Sequence, residues 1–535
     1  MISLSINLMR DKKRGQSRCF SWLWPKNGRY KYGVKQKTAS VHPEVAIQSL
    51  LRPDLTPVSA NKDYEHFRST IENVDRILVT AELERYAIDF GLENLREIDP
   101  KADEQAMARQ AEQAVKALRT NILKTLLGGI SCRKLSSAIY MSDLLADFCR
   151  VRRIDGIKGL SKSEVDRMLK FFNEEQLRLL HMALTEVCAG AESCGQIGLE
   201  QPVDASLEFF DSTCQEANIH YPVDWILLKD VSKTLLQGIS LIRDAGLFCR
   251  MPHGPEIFVR DMNRLCIEMT HSARRKDSKK ERKRVFREMK KLLETIGGHG
   301  RRYRDALDAR WEETDYSEAQ KARIVARMDD MLEKLPLVKK QAHERIIGGR
   351  PVANSEKILS AYESDLHVIV RRKAGKEVEF GNTLMICESA HGYILDWKLY
   401  RDQAPSEPEQ LAESLGRQAK MEIEEPVLSA CTDRGFASKK TSKLLRENGI
   451  YDATCPRDPA ALNERMNEEL FRDLQKRRGS TEARIAILRQ KQGGRLRQKG
   501  FENRALAVGW SVLGHNLWLV ARLLAQQEAQ AKRVA

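Results

Sequence analysis

Apolar residues recur at helical spacing over most of the chain and give way to short strand-length runs in two places. From about 62 to 200 the period is helical. Ala114, Leu118, Ile122 and Leu126 share one face of a segment from Asp103 to Leu127, which the Gly128-Gly129 pair should stop. Ser131 can cap the next helix, which runs through Leu135, Ile139, Leu144 and Phe148. Ser161 with Glu164 fits a capping box, in which serine and glutamate each satisfy an orphan backbone donor. Two short helices around a glycine-containing turn, with basic residues on the second, fit a helix-turn-helix or a small helical bundle equally. From 226 to 350 the helical period returns. Val285, Met289, Leu292 and Ile296 form one stripe, and Ile324, Met328, Met331 and Leu335 form another that should break at Pro336.

Strand-like runs flank this second helical stretch. Leu207–Phe210 is apolar and delivers Asp211, at its end, into small polar residues that turn at Tyr221-Pro222. After 355, Leu366–Val370, Val378–Phe380, Thr383–Glu388 and Tyr393–Tyr400 are short and apolar, and RKAGKE between the first two is a hairpin signal. A helix from Glu409 to Lys420 follows the Pro-rich link APSEP. A buried strand from Pro426 ends at Asp433, where Gly435 lets the backbone turn. A helix from Ser438 to Asn448, a short strand from Ile450 to Cys455, a helical stretch from Ala461 to Gln492 and an apolar helix from Ala505 to Leu524 close the chain. This order predicts a helix-rich α+β fold, a mixed sheet with helices against it, behind an α-helical N-terminal domain.

Charge changes the picture. The 535 residues carry a formal +15, a balance that suits a polyanion such as nucleic acid. The densest positive run is Arg274–Lys291, where Arg274, Arg275, Lys279, Lys280, Arg282 and Lys283 form either a solvated face or a phosphate-contacting surface. Residues 1–60 are also basic, with Trp22, Trp24, Tyr30 and Tyr32 interleaved. They read first as a flexible or mis-started terminus and second as a nucleic-acid-binding arm. Eleven scattered cysteines show no zinc spacing and imply a reducing compartment. No signal peptide is evident, and His515, Asn516 and Arg522 interrupt the longest apolar stretch, so a cytoplasmic protein without membrane contact is expected.

Three acids carry the candidate chemistry. Asp211 and Asp433 end strands, and Glu482 lies on a helix with Arg478 one turn before it and Arg489 two turns after. Three hard oxygen ligands without histidine or cysteine suit Mg²⁺ or Mn²⁺, and two such ions can serve both oxygens of a phosphodiester displacement. Each acid alone is more commonly a cap or surface group. Asp204, Asp224, Asp230, Glu379 and Asp396 are less well placed alternatives. His220 and Asn218 either shape the site or are structural.

The stretches DSTCQEANIHYPVD (211–224), EKILSAYESDLHVIVRRKAGKEVEFG (356–381), CTDRGF (431–436) and RRGSTEARIAILRQKQGGRLRQKGFENRALAVGWSVLGHNLWLVARLL (477–524) change those odds. Together they resemble the catalytic domain of bacterial insertion-sequence transposases of the DDE class, over about residues 120–525. The resemblance implies an RNase H-like fold split into 201–235 and 355–525 by a basic helical insertion at 236–354. A helical domain at 61–200 would precede it and a tail at 526–535 would follow. It implies Asp211, Asp433 and Glu482 as catalytic metal ligands and Arg478 and Arg489 as phosphate contacts. It further implies cleavage of DNA at element ends, 3′-OH strand transfer into target DNA, homo-oligomers on DNA and a nucleoid-associated location. The family often has tyrosine where Gln475 stands and lysine where Arg489 stands. Arginine keeps the charge. A hydrolysis-only site-specific endonuclease and an inactive DNA-binding derivative are the rival readings.

Overall fold

The computed structural model describes residues 61–534, apart from 154, 155, 158, 273, 275, 374, 375, 424 and 495. The basic arm at 1–60 and the candidate Arg275 therefore lie outside the described residues.

Seven helices come first: α1 (Lys62–Thr80), α2 (Leu83–Ile98), α3 (Glu104–Leu126), α4 (Cys132–Met141), α5 (Asp143–Phe148), α6 (Lys162–Leu169) and α7 (Glu174–Ala189). A two-residue ribbon, β1 (Arg152–Arg153) against β2 (Gly156–Ile157), interrupts them. The expected caps are present. Asp103 caps α3, Ser131 caps α4, and Ser161 and Glu164 complete a capping box on α6. Arg119 is buried in this group and holds α3 to its neighbours, bonding Asp75 at 2.7 Å, Glu84 and the Phe148 carbonyl.

The sheet begins with β3 (Leu207–Glu216) and takes up again at β4 (His367–Lys373), β5 (Lys376–Ser389) and β6 (Ile394–Leu399). After α12 (Glu407–Gln418) come β7 (Ser429–Thr432), α13 (Lys439–Glu447), β8 (Tyr451–Thr454), α14 (Pro459–Arg465), α15 (Glu469–Lys491) and α16 (Phe501–Val534). Six strands form one mixed sheet in the order β4–β5–β3–β7–β8, with β6 also pairing β5. β3 runs antiparallel to β5 and parallel to β7, and β7 runs parallel to β8. The chain is thus a helix-rich α+β protein.

Between β3 and β4 stand α8 (Asp224–Asp244), α9 (Pro255–Ser272), α10 (Ser278–Arg310) and α11 (Glu318–Ile346). These four share their own core, from Leu227 through Met289 and Met328 to Ala361. The helical unit begins at Asp224, inside the stretch read as catalytic, because Leu227, Val231 and Leu235 face α10 and α11 rather than the sheet. The expected break at Pro336 does not occur. α11 runs through it, since a buried stripe on both sides (Met328, Met331 and Leu335 before, Val338 and Ala342 after) packs the helix against α8 and α10. Tertiary packing outweighs the roughly 3 kcal/mol cost of an internal proline.

The N-terminal helices share their core with the sheet. The largest apolar cluster runs from Ile71 and Leu118 through Leu513 and Leu517 of α16 to Phe210 and Ala430. α16 extends well past Leu524, to Val534. Among the described residues no helix is long and apolar enough to cross a membrane.

Candidate functional site at the β3–β7 junction

β3 does not end at Asp211. It continues through Glu216, because Ser212–Glu216 pairs residue by residue with Gly381–Met385 of β5. Polar side chains in DSTCQE hid this continuation, since cross-strand pairing and not hydrophobicity keeps them extended. Asp211 therefore lies mid-strand, half-buried, opposite Ile386. The parallel neighbour β7 does stop at Thr432, one residue before Asp433, as expected. The last residues paired between the two strands are Phe209 and Cys431. Asp211 and Asp433 each follow that last pair by two residues, Asp211 within β3 and Asp433 just past the end of β7. Phe209 and Cys431 both pack against Phe471 and Leu474 of α15, so alternation turns Asp211 to the α15 face.

Buried ion pairs fix how α15 is rotated on that face. Glu388 of β5 is fully buried between Arg477 (Nη1 at 3.2 Å) and Arg484 (Nε at 2.8 Å). Arg477 also donates to the Ser389 and Ala390 carbonyls. On the opposite flank Gln475 donates to the carbonyls of Thr432 (3.2 Å) and Ala453 (2.6 Å), at the ends of β7 and β8. Glu482 lies seven residues beyond Gln475, two turns on, so it shares the flank that faces these strand ends. Glu482 itself is exposed.

The turn after β7 is held from two sides. Asp433 accepts from the Gly435 N–H at 2.8 Å, and Arg457 donates to the carbonyls of Arg434 and Gly435 at 3.0 Å each. Gly435 is not in a left-handed conformation. A Cβ there would instead meet the carboxylate of Glu407, the first residue of α12. Glu407 also accepts from the Ser212 hydroxyl at 3.0 Å, on the face of β3 opposite to the one Asp211 takes. No sequence signal marks it beyond the APSEP link, because the approach depends on the fold.

The predicted cations divide. Arg478 is half-buried and bonds the Gln475 side-chain oxygen at 3.3 Å. Arg489 donates to the Thr213 hydroxyl (3.2 Å) and the Cys214 carbonyl (2.9 Å), which ties the end of α15 to β3 two residues beyond Asp211. In α10, Lys279 and Lys280 are exposed, Lys283 is half-buried, and Arg282 lies over the Trp225 ring at 5.8 Å. Arg274 is exposed just before the helix. Arg284, within the same run, is neutralised by Glu268, Glu281 and Glu288.

Four of the five alternative acids, Asp204, Asp224, Asp230 and Asp396, have structural partners. Asp204 accepts from Ser206, Asp224 from Arg345 and Gln341, and Asp396 from Arg417 and Ser414. Asp230 pairs with His220 at 3.1 Å, which gives that histidine a structural role at the start of α8. Among the described residues no three acid, imidazole or thiol groups stand close enough together to hold one metal ion. Asp211, midway along β3, Asp433, just past the end of β7, and Glu482, exposed on α15, thus do not form a closed cage. A hollow of about 610 Å³ beyond β8, lined by Lys439, Lys443, Arg446 and Arg457, adds positive charge beside the Asp433 turn. Comparison of the chain with protein-family models, curated proteins and solved structures finds no match.

Proposed function

We propose that the chain is a DNA transposase of an insertion sequence, with Asp211, Asp433 and Glu482 as its metal-binding acids. The observation that supports this reading is the parallel register of β3 and β7, which ends at Phe209 and Cys431, two residues before each acid, on the face covered by the helix that bears Glu482. The strand order β6–β5–β3–β7–β8 supports an RNase H-like topology, with antiparallel pairs on one side of β3 and parallel pairs on the other.

An all-oxygen donor set fits Mg²⁺ or Mn²⁺, with Asp211 and Asp433 as the pair nearest in register and Glu482 completing the set. Bound there, such ions would activate an attacking oxygen and stabilise a leaving one. The protein's part is positional. The Glu388 pairs and Gln475 hold α15, Arg457 holds the Asp433 turn, and Lys439, Lys443 and Arg446 face the DNA backbone. The α10 cations extend that surface without reading sequence.

The test is incubation of labelled DNA carrying the element's end with Mg²⁺ or EDTA, comparing wild type with Glu482→Gln. Mg²⁺-dependent cutting and joined product DNA from wild type alone are expected. Cutting without joining would leave a hydrolysis-only endonuclease. Binding without cutting by either protein would leave an inactive DNA-binding derivative.

A further inference from the structure

A large cavity lies away from the three acids. It encloses about 690 Å³ between the N-terminal helices and the α15–α16 connection. Its walls are locked together at one point. Gly129, with φ +65°, sits against the backbone of Gln492 and Gly493, where any Cβ would come within 2.3 Å of main-chain atoms. The hollow is therefore built into the fold.

Its lining has two unusual properties. The first is positive charge with no carboxylate beside it, although Lys491 and Lys499 lie over the Trp518 and Tyr362 rings. Lys124, Arg133 and Lys162 reach it from the N-terminal side, and Lys491, Arg497 and Lys499 from the other. Among the described residues none of these six has a carboxylate partner, and the only acid in the lining, Asp166, pairs with Lys170. Burial lowers the Lys491 ammonium to about 8 and pushes Lys124 down as well, so both sit where an anion is wanted. The second is unmet hydrogen bonding. Both side-chain polar atoms of Gln492, the Gln498 oxygen and the Trp510 indole N–H are buried without a partner. Gln492 is 7 % exposed and Trp510 3 %. Buried polar groups left unpaired cost about 1–3 kcal/mol each, so this cluster points to a ligand that satisfies them.

Cations around the rim suit phosphate. An amide, an indole N–H and the apolar surfaces of Leu169, Leu506 and Trp510 suit a flat heteroaromatic ring with its own donors and acceptors. We propose that this cavity is a nucleotide-binding site, which takes phosphate and base together from a free nucleotide or from the terminal nucleotide of a DNA strand. The site is separate from the three acids, and its occupancy requires neither metal nor strand cleavage.

Cys132 lines the cavity and is half-buried, which gives a footprint on the unaltered protein. The full-length protein, in EDTA, is treated with a thiol reagent, and modification of Cys132 is followed by peptide mass spectrometry. Cys249 and Cys455, which do not line the cavity, are internal controls. The probes are ATP, adenosine, inorganic phosphate and a short single-stranded oligodeoxynucleotide with or without a 5′-phosphate. At ten times its Kd, ATP should slow Cys132 modification about tenfold and leave the controls unchanged. Adenosine and phosphate should protect far less. Protection by the 5′-phosphorylated oligonucleotide as well identifies strand ends as a source. Protection by ATP alone identifies free nucleotide. Lys124→Gln with Lys491→Gln should weaken ATP binding at least about tenfold, and Glu482→Gln should not change it. No protection by any nucleotide, or equal protection by phosphate alone, overturns the proposal. Either result leaves the phosphodiester chemistry to be judged by the cleavage assay.

Discussion

Glu388→Gln is the sharpest test of how α15 is held. Glu388 is fully buried, and its two carboxylate oxygens face different arginines, Arg477 and Arg484. The glutamine keeps the shape and removes the charge. Arg477 retains its bonds to the Ser389 and Ala390 carbonyls, so it loses little. Arg484, whose side chain is 13 % exposed, loses its anionic partner and is left as a buried cation. Removing one partner of a buried pair costs roughly 3–5 kcal/mol, and the bonds that Arg477 keeps place this case near the lower end. Hydrogen exchange should show the loss locally, as faster exchange of α15 amides from Arg477 to Leu488. DNA cleavage should fall with it, since Glu482 rides on the same helix. Replacing the whole group, Glu388→Leu with Arg477→Met and Arg484→Met, should recover much of the stability without a buried charge. If Glu388→Gln leaves α15 exchange unchanged, the ion pairs do not set the helix, and the placement of Glu482 needs another cause.

Three further outcomes are expected. Burial raises the Glu208 carboxyl to about 8 from an ordinary 4.5, so the folded chain holds a proton that the unfolded chain releases. Stability should fall as pH rises between these values, by on the order of 4–5 kcal/mol, and Glu208→Gln should flatten that slope in urea titrations; an unchanged slope refutes it. Gln475→Ala removes two bonds to strand-end carbonyls and should cost roughly 1–2 kcal/mol, with faster exchange near Thr432. Gln475→Glu, which sets an acid against the same oxygens, should do worse, and a fully active glutamate variant would sink the positioning role. DNA affinity should fall about 10³- to 10⁵-fold between 50 and 200 mM salt if six to ten phosphates are neutralised. Replacing Lys279, Lys280 and Lys283 by serine should lower the salt slope by about 0.9 for each phosphate no longer neutralised, and an unaltered slope removes α10 from the DNA surface.

Helix starts were legible because their signals are local, but the helix expected from Ser131 through Phe148 is two, α4 and α5, broken at Ser142, which caps the second. The Ser161 and Glu164 box and the Ser131 cap are read from neighbours a few residues apart. The end of β7 before Asp433 was legible for the same reason, as an apolar run meeting a turn. What escaped the sequence depends on partners far along the chain. The polar half of β3 is a strand only because β5 pairs with it. Thr383–Glu388 and Val378–Phe380 are one strand because β4, β3 and β6 line its two edges along its length. α11 survives Pro336 because α8 and α10 pack against it. Residue types and spacing single out Asp211, Asp433 and Glu482 as candidates but give no sign of Glu407, whose approach to Ser212 spans 195 residues. Gln475 looked like a missing tyrosine and is instead the bond between α15 and the strand ends.

The most direct test of the central claim is Mn²⁺ binding to the protein–DNA complex, followed by the paramagnetic resonance signal of the free ion. Wild type should take up Mn²⁺, and Asp211→Asn, Asp433→Asn and Glu482→Gln should each take up less, while Asp204→Asn and Asp224→Asn behave as wild type. If the three variants bind as much Mn²⁺ as wild type, these acids do not form the metal site and the account of the β3–β7 junction is wrong.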